Sequence, residues 1–129
     1  DQVPGHALAP ANGTWERVRL QEWLNFISSE IHGASAPLFS SEIPESVQDI
    51  FKLKLYKRLD FLSQTLAEQD YLSGWFSVAD AYLFTVLTWL PTFNISIDDW
   101  PTLAAYMQRI AARPSVLAAL AAEAATQPV

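Results

Sequence analysis

Asn25, Ser29 and His32 stand at i, i+4 and i+7 in the stretch NFISSEIH. On an α-helix, at about 100° per residue, they fall within roughly 60° of one another. That makes one polar stripe ending in an imidazole. An imidazole exchanges protons near neutral pH, and beside a thiol it stabilises the thiolate and raises the fraction of active nucleophile. The chain has no cysteine, so any such thiol comes from outside it. The plainer reading is that His32 decorates a helix C-terminus, where a cation is welcome. A second group invites chemistry: Asp80 stands near the head of FSVADAYLFTVLTWL (76–90), where from Val78 to Leu90 the other polar side chains are Thr85 and Thr88 beside the Tyr82 hydroxyl.

The elements that must position these groups are helical. Four glycines, and prolines at 4, 10, 37, 44, 91, 101, 114 and 128, cut the chain into long stretches rather than short strands. The expected fold is all-α, a bundle of about five helices. The first is predicted from Thr14 to His32 with a core stripe of Leu20, Leu24, Ile27 and Ile31, ended by Gly33 and Pro37. A second follows Pro44 to about Gln69 and buries Val47, Phe51, Leu55, Leu59, Leu62 and Leu66, leaving Lys52, Lys54, Lys57 and Arg58 as a solvated face. The third covers Ser77 to Leu90 and is stopped by Pro91; apolar nearly all round, it belongs at the centre of a bundle. A fourth starts at Pro101 with Leu103, Met107 and Ile110 inward, and a short alanine-rich fifth follows Pro114 with Val116, Leu117 and Leu120.

A buried helix start leaves orphan backbone N–H groups that water cannot reach. Ser77 with Asp80 three residues on is a capping box, the serine serving the amide of Asp80 and the carboxylate reaching back to the amide of Ser77. Asp80 is therefore expected to be structural rather than a catalytic acid.

Composition narrows the function. In 129 residues, half of them hydrophobic, there is room for one core. A net charge of −6, with eight Lys and Arg against fourteen acids, excludes a dominant positive field and disfavours nucleic acid as a partner. The absence of cysteine fits a reducing compartment, hence the cytoplasm. No apolar run reaches the roughly 20 residues of a membrane span, so no membrane partner is expected. No His, Asp and Glu spacing suggests a metal site, and His6 stands alone in an arm without a partner.

A buried S-x-x-D box opening the central helix of an all-α bundle marks the C-terminal domain of glutathione transferases, and FSVADAYLFTVLTWL closely resembles that segment. WLNFISSEIHGASAPLF (23–39) and YMQRIAARPSV (106–116) flank it in the order and spacing of the bacterial beta class. The resemblance covers essentially the whole chain and divides it into a linker or arm, 1–12, and a helical domain, 13–129. It implies a thioredoxin-like domain, absent from these residues, that binds most of glutathione and supplies the residue facing its sulfur. It further implies that Asn25 and the run Ser29, Glu30, Ile31 and His32 line the glutathione site, with His32 near the sulfur as the catalytic residue. Trp89 and Tyr82 then wall a pocket for a small hydrophobic electrophile, although from the residues alone Tyr82 reads rather as a core aromatic and Trp89 equally as either. Where the family often carries a lysine after this histidine and an arginine before the tryptophan, this chain has Gly33 and Thr88.

The resulting expectation is the substrate-side half of a glutathione transferase. It uses glutathione as co-substrate, needs no metal, and is a homodimer in its full-length form. The alternative is a non-catalytic helical module that binds proteins or apolar ligands. Trp15, Trp23 and Phe26, off the core stripe of the first helix, are expected either to face a partner domain or subunit or to lie beneath the linker.

Overall fold

The structure is a computed structural model and describes residues 8–126; His6 and most of the expected arm lie outside the described residues. Within them the chain forms five α-helices and no strand. They are α1 (Trp15–Phe26), α2 (Glu45–Glu68), α3 (Val78–Leu87), α4 (Pro101–Ala111) and α5 (Pro114–Thr126).

Helix α1 starts where Thr14 accepts from the Arg17 amide, and does not end at His32 in α form. It passes directly into a π-helical segment, Ile27–His32, then a further α turn, Gly33–Ser35, and a 3₁₀ turn, Ala36–Phe39. Gly33 is thus no terminator: its φ of −61° and ψ of −38° keep it helical, and Pro37 sits inside the tight turn that follows. Helix α2 occupies the expected span, flanked by Pro44 and Gln69.

Helix α3 is shorter than its sequence suggests. It ends at Leu87, three residues before the expected Leu90, and Pro91 falls within a separate 3₁₀ turn, Leu90–Phe93. Thr88 turns its hydroxyl onto the Thr85 carbonyl, and Asn94, with φ 58°, closes the turn in the left-handed region that Asn tolerates.

The core is built from Leu20, Ile27 and Ile31 below, Leu55, Leu59, Leu62 and Leu66 of α2 on one side, and Leu103, Tyr106 and Ile110 of α4 on the other. Leu83, Val86 and Leu87 of α3 complete it. Helix α3 touches α1, the π segment and α4, but is not enclosed: Val78, Ala81, Thr85 and Thr88 form an exposed stripe along it. Several expected core positions move outward. Leu24, Phe51 and Met107 are half-buried, and Val47 is exposed because the first turns of α2 run past the bundle. Leu117 and Leu120 are also exposed, as α5 touches the rest mainly through α4.

Asp80 is fully buried together with Ser77. Its Oδ2 accepts from the Ser77 amide at 2.9 Å and from the Ser77 hydroxyl at 3.2 Å, while Ser77 Oγ accepts from the Ala79 amide at 3.2 Å. Its Oδ1 accepts from the Leu72 amide and from the Tyr106 hydroxyl, each at 3.0 Å. The carboxylate therefore joins the loop before α3, the start of α3 and the middle of α4. The loop's far side is held by Arg113 of the α4–α5 turn, whose guanidinium lies 3.8 Å from the Phe76 ring centre and donates to the Tyr71 hydroxyl.

Two outcomes are expected. Asp80→Ala strands the Leu72 and Ser77 amides and the Tyr106 hydroxyl in the interior and should lower stability by about 3 kcal/mol or more. Tyr106→Phe should cost only about 1 kcal/mol, because the carboxylate keeps its other donors; urea midpoints rank the two. Burial, and then the adjacent Asp80 charge, push the Tyr106 hydroxyl far above the ordinary tyrosine range. A raised folded pKa favours the folded state fully below the unfolded value near 10. Above that pH, stability should fall by about 1.4 kcal/mol per pH unit as the unfolded tyrosine ionises. Alkaline denaturation of Tyr106→Phe should be correspondingly shallower.

Candidate functional site

The π segment is where the polar stripe resides. A π turn bonds i to i−5, and such turns inside α-helices are frequent at functional sites. Here the Gly33 amide bonds to the Ser28 carbonyl, and a Cβ at Gly33 would meet that oxygen at 3.2 Å. Glycine thus fits the closed turn without displacing it. The Ser29 hydroxyl donates to the Asn25 carbonyl at 2.9 Å, and Ser35 donates to the Ile31 carbonyl at 2.7 Å, so side chains occupy carbonyls around the irregular stretch.

The wider turn rotates less per residue than an α turn, so the tight three-residue stripe drawn for an ideal α-helix does not persist. Asn25 and Ser29 remain exposed neighbours on α1 and its continuation. The Glu30 carboxylate pairs with Arg58 of α2 at 2.5 Å, tying the segment to the bundle while Arg58 stays on the solvated face. Ile31 is fully buried, so it offers the site its backbone rather than its side chain. His32 emerges next to it, exposed, and points at α3.

There it meets both aromatic residues singled out in the sequence, Tyr82 of α3 and Trp89 just beyond its end. The Tyr82 hydroxyl lies 2.7 Å from His32 Nδ1, and the Trp89 ring lies edge-on at 5.0 Å between centroids. Tyr82 and Trp89 are seven residues apart and half-buried, which presents both to one side of α3. The wall continues through Phe39, 5.5 Å from Trp89 and 4.7 Å from the buried Phe93. Phe39, 53% exposed, was missed in the sequence. It lies in a 3₁₀ turn, where neither a helical nor a strand period flags a surface aromatic.

The arrangement is one imidazole at the mouth of an apolar wall of Tyr82, Trp89 and Phe39, open to solvent. It can place a hydrogen-bond donor or acceptor beside a flat apolar reactant. Among the described residues no group of three or more His, Cys, Asp or Glu could hold a metal ion. Thr88, on the exposed stripe of α3, spends its hydroxyl on its own helix.

Trp23 and Phe26 pack against Phe61 of α2, at 6.2 and 5.4 Å between centroids, whereas Trp15 stays 70% exposed.

Residues 26–114 match the family described as "Glutathione S-transferase, C-terminal domain". The chain is 39% identical over 125 residues to glutathione S-transferase GstA of Escherichia coli O157:H7, covering 95% of this chain and 62% of that protein. The solved structure of BphK, a bacterial GST in a ternary complex, superposes with a TM-score of 0.91 at 45% identity, over 95% of this chain and 62% of that one. A bacterial beta class glutathione S-transferase from Sphingomonas chungbukensis gives a TM-score of 0.85 at 42% identity, over 91% and 59%. The chain thus spans somewhat less than two thirds of the length of the relatives it matches. With a family match over residues 26–114 of an all-helical chain, the chain belongs to the glutathione S-transferase family as a C-terminal domain.

Proposed function

We propose that this chain is the substrate-side half of an enzyme that transfers glutathione, through its sulfur, to a small hydrophobic electrophile. The observation that carries the reading is the convergence of His32 with Tyr82 and Trp89 at one opening, drawn from two segments 50 residues apart in the chain. Family membership supplies glutathione as the thiol.

In this reading the glutathione sulfur, positioned mostly by a thioredoxin-like partner domain, stands beside the His32 imidazole. A hydrogen bond from His32 stabilises the thiolate, which raises its population at neutral pH. The backbone and side chains of Asn25, Ser29, Glu30 and Ile31 line the adjoining edge. Tyr82, Trp89 and Phe39 hold the electrophile by apolar contact, so that the two reactants meet at short range. The thiolate attacks the electrophilic carbon, a carbon–sulfur bond forms, and the displaced group leaves with the electron pair. Gly33 and Thr88 bring no cation to this edge, so the anionic tripeptide depends on the partner domain for its charge pairing. The same reading carries a homodimeric assembly and a cytoplasmic location; for the latter, the structure adds that no helix among the described residues is long and apolar enough to cross a membrane.

Two results are expected. In the two-domain enzyme His32→Ala should lower kcat/KM with a standard aromatic chloride by a factor on the order of 100, with the thermal midpoint unchanged, since the exposed ring contributes little to the core. An unaltered kcat/KM would remove His32 from the chemistry. The 129 residues alone should bind glutathione too weakly for calorimetry and should show no conjugation; turnover by this chain by itself would show that the partner domain is dispensable.

A further inference from the structure

We propose that Tyr82 is a positioning residue that acts through His32. Its hydroxyl donates to Nδ1, fixes the neutral imidazole as the Nε2–H tautomer, and so presents an N–H donor at the opening. The kinetic consequence rests on the thiol-transfer reading above, whereas the tautomer is a property of the protein alone.

The contact is 2.7 Å, well within hydrogen-bond range and short for a bond between oxygen and nitrogen. A neutral imidazole donates from one ring nitrogen and accepts at the other, and the bond made at one nitrogen decides the role of the second. A phenol is a better donor than acceptor, so the stable arrangement has Tyr82 O–H pointing at the Nδ1 lone pair. His32 Nε2 has no partner among the described residues and the side chain is exposed, so the opposite nitrogen remains available to a ligand. On one flank Trp89 stands edge-on at 78° and 5.0 Å, and the backbone that carries His32 is held by the Gly33–Ser28 bond and the buried Ile31. Tyr82 itself is fixed by its place on α3 and by half-burial against the core.

The selection matters because the two neutral tautomers do opposite things at Nε2. With the proton there, the imidazole donates to a thiolate without needing to carry a charge. With the proton on Nδ1, a lone pair faces the thiolate and repels it. The hydroxyl of Tyr82 thus sets the sign of the interaction at a point that it does not touch. This is a different role from that of Trp89 and Phe39, which contribute only apolar surface.

The test begins with long-range proton–nitrogen correlation spectra of the histidine-labelled protein at a pH where the imidazole is neutral, with His32→Gln to assign the signals. The expected result is a protonated Nε2 and a bare Nδ1, and in Tyr82→Phe a movement of the two nitrogen signals toward each other as both tautomers become populated. A protonated Nδ1 in the parent, or nitrogen signals unchanged in Tyr82→Phe, overturns the proposal. The second arm is kinetic, with the thioredoxin-like domain present. Tyr82→Phe should lower kcat/KM about two- to tenfold, the range that one net hydrogen bond supplies, and should have no further effect in a His32→Ala background. A loss of equal size in that background would mean that the Tyr82 hydroxyl acts on the substrate directly and not through His32. Absence of glutathione conjugation together with an intact Nε2–H signal would sink the transferase reading and leave the tautomer assignment standing.

Discussion

One buried carboxylate organises this bundle. Asp80 is fully enclosed, and it is tolerated there because donors from three parts of the chain converge on it: the Leu72 amide, the Ser77 amide and hydroxyl, and the Tyr106 hydroxyl. A lone ionised group in such surroundings would be strongly disfavoured, while a fully bonded one holds the elements in fixed register. The helix dipole adds to this, because the anion lies in the first turn of α3. Fixing the start of α3 fixes the direction of the helix, and with it the places at which Tyr82 and Trp89 emerge. The chemistry proposed at His32 thus depends on a group that takes no part in it.

The fold was readable because helical period and proline punctuation coincide over most of the chain. Leu55, Leu59, Leu62 and Leu66 recur with the spacing that α2 buries, and Pro44, Pro101 and Pro114 stand at the helix starts. The errors lie where period alone cannot say how far a neighbour extends. Val47, Leu117 and Leu120 keep a perfect apolar rhythm but run beyond the elements that would cover them. Tyr106 shows the converse: a residue with a polar tip is fully buried because a carboxylate 26 positions earlier receives its hydroxyl. No local pattern announces that pairing.

The site was legible in its members and not in its geometry. His32, Tyr82 and Trp89 could be named from the chain, yet their meeting depends on the π segment, which the 3.6-residue period does not encode. The segment rests on Gly33, on serine hydroxyls bonded to nearby carbonyls, and on Glu30 bound to Arg58, interactions distributed over two helices. Gly33 illustrates the ambiguity well. A glycine after a helical run reads as a stop, whereas here it continues the helix at negative φ and closes an unusually wide turn.

The Val78 amide, one of the orphan donors of α3, bonds at 2.9 Å to the carbonyl of Leu8. A residue of the apparent linker thereby serves as part of the cap of a helix seventy positions later, and Arg17 grips the same stretch through the carbonyl of Pro10 at 2.6 Å. The seam between arm and bundle, drawn at residue 12 from composition, is therefore not a mechanical seam. A chimera spliced at residue 12 would exchange a piece of the keystone helix's own scaffolding. Tension applied along the arm would reach the start of α3 through the Leu8–Val78 bond.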